Sequence, residues 1–200
     1  YVAPDLTILN DIVTKSGIND MAYQQEPDSI LWCVRDDGVF AGLTYQRSEN
    51  VVAWHRHKLG GTFGTGASAT GYGVVESVAS ISGELTEDEL YVIVKRTING
   101  ATKRYVEVFA PFDFDETTST DFRFLDSHLT YSGGSTTTLS GLSHLEGQVV
   151  SILADGATHA DKTVSSGSIT LDRSVTSAVV GLKYDSVLQT MRVEGGAAQG

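Results

Sequence analysis

The sequence predicts an all-β protein. From about residue 20 onward apolar and polar side chains alternate with period two, turn dipeptides punctuate the alternating runs, and 21 glycines stand against 3 prolines in 200 residues. The expected architecture is a pair of partial propeller-like blades followed by a small β-barrel or sandwich, with one short N-terminal helix. Hydrophobic residues make up 40% and charged residues 20%, a globular rather than a disordered balance.

Residues 1–20 read as a helix and its lead-in. Leu6, Leu9, Ile12 and Val13 recur at helical spacing, Asp5 after Pro4 suits the start, and Gly17 suits the end. Residues 21–110 read as two similar β units. In the first, an edge-like stretch at 21–25 precedes strands at 30–35, 39–47 and 51–57, separated by Asp36-Asp37-Gly38 and Ser48-Glu49-Asn50. A loop of small residues follows at 60–73, its composition too flexible for a core. In the second unit, strands are expected at 74–82, 89–98 and 102–109, with Asn99-Gly100 as a type I′ turn. Laid over each other, the units place Trp32 and Tyr91 at equivalent positions, and Trp32, Tyr45, Trp54, Tyr91, Tyr105 and Phe109 are the expected core anchors. The remaining blades of a propeller would lie outside this chain or in other chains. Residues 111–121, rich in acids and small polar side chains, form the expected linker. Residues 122–200 form the expected small barrel or sandwich, with seven short strands at 126–131, 136–139, 148–154, 158–164, 168–172, 178–184 and 187–193.

Charge narrows the function classes. The net charge is −11, with 14 acids against 9 bases in residues 1–110 and 11 against 5 in residues 111–200. A chain acidic throughout argues against reading nucleic acid, which needs clustered Lys and Arg. It leaves open a duct through which DNA passes without adhering. No apolar run is long enough to span a membrane, and no signal-peptide pattern opens the sequence. Tyr1 in place of a methionine leads us to expect a piece of a longer chain.

Few residues suggest chemistry. Cys33 is the sole cysteine and reads as a small buried hydrophobe; a catalytic role would need an activating histidine beside it. In Trp54-His55-Arg56-His57 the two histidines share one face of a strand, a geometry used by some metal sites, with Trp54 on the opposite face. A third ligand is not evident among His128, His144 and His159, so a polar strand face is the plainer reading and metal binding stays open. The acids Asp36, Asp37, Glu87, Asp88 and Glu89 sit in expected turns, where solvation is the ordinary reading and a facing pair across a cleft would be needed for glycoside chemistry. Asp113, Asp115 and Glu116 resemble a loose cation loop without EF-hand spacing. Ser140-Gly141-Leu142-Ser143-His144 lacks the strand-to-helix elbow of a serine hydrolase, and Gly60-Gly61-Thr62-Phe63-Gly64 precedes no helix that would make it a phosphate cradle. No catalytic, cofactor-binding or metal residue is assigned, and no cofactor is expected.

Several blocks carry a resemblance. Tyr23-Gln24-Gln25-Glu26-Pro27-Asp28-Ser29 leading into Ile30-Leu31-Trp32-Cys33-Val34-Arg35-Asp36-Asp37-Gly38 resembles a recurrent block of tailed-phage structural proteins. So do Leu43-Thr44-Tyr45-Gln46-Arg47 with Ala53-Trp54-His55-Arg56-His57, and Glu89-Leu90-Tyr91-Val92-Ile93-Val94-Lys95-Arg96 downstream. Leu142-Ser143-His144-Leu145-Glu146-Gly147 and Val150-Ser151-Ile152-Leu153-Ala154-Asp155-Gly156 look like the small β domain that follows, which in some such chains is likened to the FCCH domain of ubiquitin-activating enzymes. The family resembled is that of the tail-nozzle or tail-tubular-B-like proteins of short-tailed phages and their prophage relatives. The resemblance implies a non-catalytic virion component made in the bacterial cytoplasm. It also implies assembly as a homo-oligomeric ring beside other tail and portal proteins, with DNA passing through unbound. A saccharide- or receptor-binding module of a tail tip is the alternative, and a depolymerase enzyme a third.

Overall fold

The structure is a computed structural model and describes residues 4–8, 10–83, 87–110 and 122–190. The alternation folds into three antiparallel sheets. The first is a meander of β1 (Ile18–Gln24), β2 (Ile30–Arg35), β3 (Phe40–Gln46) and β4 (Val51–His57). The second holds β5 (Val74–Ser82), β6 (Asp88–Ile98) and β7 (Ala101–Val108). The third holds β8 (Asp126–Ser140), β9 (Val149–Ala154), β10 (Ala157–Thr163) and β11 (Ser168–Leu182) in the order β10-β9-β11-β8. The tight hairpins follow turn chemistry. Asn99 and Gly100 take φ of 48° and 72°, and Asp155 and Gly156 take 47° and 75°, the consecutive left-handed pair that a type I′ turn requires.

Period two gives the first sheet two working faces. One face carries Trp32, Val34 and Phe40 into a core shared with Leu59 and with Val75, Val78, Leu90, Val92 and Val94 of the second sheet. The rings of Trp32 and Phe40 stack at 4.8 Å, with Phe109 tilted against both. The opposite face buries Cys33 and Ala41 against Val13, with Leu31 and Trp54 partly covered. The two meanders therefore pack as layers.

The N-terminal helix expected over residues 5–17 is not formed. A single 3₁₀ turn, Asp11–Thr14, is the only helical piece there, and only Val13 of the expected apolar stripe is buried among the described residues. The physical reason lies in the carbonyls. Asn10 N–H bonds back to Thr7 O at 2.7 Å, while the Leu6 carbonyl accepts from Trp54 Nε1–H at 2.9 Å. The Val13 carbonyl accepts from an Arg35 guanidinium N–H at 2.9 Å. A segment this short is marginal as a helix on its own, and the sheet outbids it for its acceptors.

Tyr91 also departs from expectation. Leu90, Val92, Val94, Arg96 and Ile98 are the inward residues of β6, which puts Tyr91 on the outer face, bonded to Glu89 at 2.6 Å. The superposition of Trp32 on Tyr91 is out of phase by one residue, and a slip of one exchanges the faces. Tyr45, at 37% exposed, is no core anchor either. The strand bounds 30–35, 51–57 and 74–82 match β2, β4 and β5.

In the last portion four strands replace the expected seven. Segments 126–131 and 136–139 are one strand, β8, and segments 168–172 and 178–184 are one strand, β11. Register shifts between Thr170 and Val175 and again before Ser177 keep the long β8–β11 pair continuous while it bends. Ile169 and Leu171 before the bend therefore share one core with Ala178, Val180 and Leu182 after it. Side chains bridge β10 to β11: Lys162 meets Asp172 at 2.5 Å, and His159 Nε2 accepts the Asp172 N–H at 3.1 Å. Residues 187–190 form no strand, and Val187 and Leu188 are 85% and 90% exposed. The linker expected at 111–121 lies outside the described residues, as do 191–193.

Polar side chains close the seam between the first two sheets. A bulge in β1 faces a bulge in β5, and there Asp20 Oδ2 accepts the Val78 N–H at 3.1 Å and the Ser77 hydroxyl at 2.9 Å. Led by the Val78 N–H, these bonds hold the Asp20 carboxyl below its ordinary range. At the other end Gln24 accepts from Trp32 Nε1–H and donates to the Asp88 carbonyl, both at 2.8 Å. The Asp88 carboxylate accepts the N–H groups of Gln25 and Glu26 at 2.7 and 3.1 Å. Asp88→Ala removes the acceptor for two backbone donors. It is expected to cost about 1–2 kcal/mol in chemical denaturation and to speed amide exchange at Gln25 and Glu26.

Candidate functional site

Two polar centres lie where layers meet. The first is the histidine pair of β4. Pairing sets Trp32, Gly42 and His55 in one row across the first sheet, and Val34, Phe40 and His57 in the next. His55 and His57 do share a face, and Trp54 lies on the other, as the strand period requires. Gly42 makes the room: a Cβ there would stand 2.2 Å from His55 Cε1. The rings are perpendicular and joined by a hydrogen bond, His55 Nδ1 to His57 Nε2, of 2.7 Å. Thr44 Oγ1 lies 3.3 Å from His55 Nε2. Trp32, Phe40 and Phe109 wall the pair in.

A histidine–histidine bond needs an unprotonated acceptor nitrogen, and the aromatic wall disfavours charge on either ring. Burial pushes the His55 pKa down, and burial together with the neighbouring His55 lowers that of His57 to about 4. The pair is neutral at pH 7. Two nitrogens bonded to one another leave no gap for an ion between them, and among the described residues no group of three His, Cys, Asp or Glu side chains gathers as metal ligands.

The second centre is Arg96. It occupies an inward position of β6 and is wholly buried. Its guanidinium grips both carboxylate oxygens of Glu107 on β7, and its Nε–H donates to Gly60 O at 2.7 Å. Gly60 N–H donates in turn to Asp126 Oδ2, at the start of β8, at 2.6 Å. Burial pushes the Asp126 carboxyl up, while the Gly60 N–H and Arg96 pull it down. Gly60 and Gly61 let this loop pass between layers. A Cβ on Gly60 would stand 2.8 Å from Lys183 O, and one on Gly61, whose φ is +94°, 2.9 Å from Arg96 Cδ. The loop expected to be too flexible for a core is thus pinned at its first residues.

The other sequence candidates are placed as follows. Cys33 is buried, and burial pushes its thiol up, away from the reactive thiolate. Asp37 pairs with Arg35 at 2.7 Å and accepts the Val39 N–H, closing the turn. Asp36 donates its backbone N–H to Gly17 O at 3.2 Å, while the carboxylates of Asp88 and Glu89 accept from the Gln25-Glu26 turn and from the Tyr91 hydroxyl. His144 bonds to the Ser127 carbonyl at 3.0 Å beside the buried Leu142 and Leu145, and among the described residues it bonds to no hydroxyl or thiol. Asp113, Asp115 and Glu116 fall outside the described residues. One polar cleft of about 280 Å³ lies between Arg35, Asp36, Glu76 and Lys95 at the seam.

Sequence reasoning missed Asp20, Gln24, Arg96, Glu107 and Asp126. For Arg96 a signal was present: it is the one charged residue in the inward series Leu90, Val92, Val94, Arg96, Ile98, and a charge at core parity demands a partner.

Two outcomes follow. The histidines' folded-state pKa values lie below the unfolded value near 6.5, so the unfolded chain binds protons first on acidification. Their stabilisation is full above about pH 6.5 and is lost as pH falls towards 4, on the order of 3 kcal/mol for His57. Urea melts across that window should show the slope in the wild type and its loss in His57→Phe. For the second centre, Arg96→Met leaves the half-buried Glu107 unpaired and is expected to cost about 2–4 kcal/mol, whereas Arg96→Met with Glu107→Met together recovers most of it.

Compared with models of known protein families and with curated proteins, the chain matches none.

Proposed function

We propose that this chain is a non-catalytic structural building block of a phage or prophage tail, part of the rigid β wall of a tail nozzle or hub. In this reading its two meanders are adjoining propeller-like blades and its last sheet a small barrel-like domain. One observation carries the reading: the buried Arg96 and the half-buried carboxylates around the core form joints between sheets and loops. Arg96 with the Gly60 carbonyl, Asp126 with the Gly60 amide, Asp88 with the 25–26 turn and Asp20 with Val78 each tie one sheet or loop to the next. A site built for turnover instead leaves titratable groups converging on open space.

The block that resembles tail proteins supports it too. Gln24, Gln25 and Glu26 act at the seam through Asp88, and Trp32 anchors the shared core. Residues of that block hold shape, the role expected of a wall. The net charge of −11 suits a duct wall that DNA passes without adhering.

The test is localisation and assembly. Antibody raised against this chain should label the tail of intact particles carrying the parent protein, and mass spectrometry of purified particles should recover its peptides at a stoichiometry of several copies per particle. Absence from purified particles, or turnover of a polysaccharide by the isolated chain, contradicts the reading.

A further inference from the structure

Among the described residues the outer face of the second sheet is open over Glu89, Tyr91 and Ile93, with Phe63 over Lys95 at its far end, and its pattern is self-complementary. Along β6 the outward residues run Glu89, Tyr91, Ile93, Lys95. Register sets Val108 beside Tyr91 and Val106 beside Ile93, and Arg104 beside Lys95. Val106 is 71% exposed, Val108 55% and Ile93 37%, so the centre of this face is an apolar patch open to solvent. The first sheet covers the inner face only.

The two ends of the patch carry opposite charge. At one end Glu76 is held by both Lys95, at 2.7 Å, and Arg104, at 2.6 Å, and two cations against one carboxylate leave a net positive end. At the other end Glu89 leaves a negative one. A two-fold axis lying parallel to the sheet and across its strands, through the apolar centre of the interface, lays the positive end of one copy over the negative end of another and brings Val106 and Val108 together from both. Elsewhere a chain of charge −11 repels its own copies, so this balanced face is the favoured approach.

We infer that the outer face of β5, β6 and β7 is an isologous interface through which two copies of this chain pair. Three strands about 4.8 Å apart, over some six residues at about 3.3 Å each, offer only a few hundred Å² per copy, below the roughly 800 Å² of a standard interface. The pair is therefore weak and reversible, with dissociation in the micromolar range or above.

Sedimentation equilibrium on the 200-residue chain tests it, with circular dichroism confirming that each variant keeps its strands. The expected result is a monomer–dimer equilibrium. Val106→Arg should abolish the dimer, and Val106→Thr, which keeps the β-branched shape, should weaken it about threefold. Because the axis duplicates every contact, Glu89→Arg or Arg104→Glu alone should weaken it about tenfold, and the two together should restore it. A monomer at every concentration up to about 1 mM overturns the inference. So does a dimer indifferent to Val106→Arg, or a closed ring of higher order that forms without passing through this dimer.

Discussion

A guanidinium with no surface in water must find every partner it needs inside the protein, or it would not stay there. Arg96 meets that demand with Glu107 from the neighbouring strand and with the carbonyl of Gly60. Much of the remaining architecture follows from it. Gly60 must pass close enough to be bonded, which excludes a side chain at Gly60 and at Gly61. The amide of Gly60, turned the other way, is then presented to Asp126, and the start of the third sheet is held there. One buried charge thereby links β6, β7, the loop after β4 and β8.

The same device recurs at the seam of the first two sheets with acids in place of the base. Three- and four-stranded antiparallel meanders bury one face well and leave their edges with unpaired amides. Asp20 satisfies such an amide on β5, and Asp88 satisfies two at the turn before β2. Apolar burial between Trp32, Phe40, Val92 and Val94 supplies the attraction, which has no direction of its own; the carboxylates fix where the layers stop sliding. The histidine pair belongs to this layer contact, since Phe109 of the second unit closes on His57 across the interface.

How much of this was legible in the sequence depends on whether the deciding interaction is local. Strands β2, β4 and β5 and the Asn99-Gly100 turn were readable, because alternation and left-handed dihedrals are properties of neighbours in the chain. The faces of His55, His57 and Trp54 were readable for the same reason. The helix over residues 5–17 was misread because Trp54 and Arg35, far along the chain, take the carbonyls it would have used. Seven strands became four because bulges let β8 and β11 bend without breaking, and a bulge leaves little trace in composition. Tyr91 was placed inward by aromatic weight when the parity of Leu90, Val92 and Val94 set it outward. The joints were illegible except for Arg96, since Asp20 and Asp88 look like any turn acid until the strand they cap is beside them.

The central claim is that polar bonds at the seams, with the core they orient, make the three sheets one rigid body. Hydrogen exchange under native conditions tests it most directly, read at the Gly60 amide held by Asp126 and the Val78 amide held by Asp20. The account predicts that both open with the free energy of the Val94 amide at the buried centre of β6, through the same global event. Exchange of Gly60 and Val78 orders of magnitude faster than Val94 would mean that the layers part while each sheet stays folded, and would contradict it.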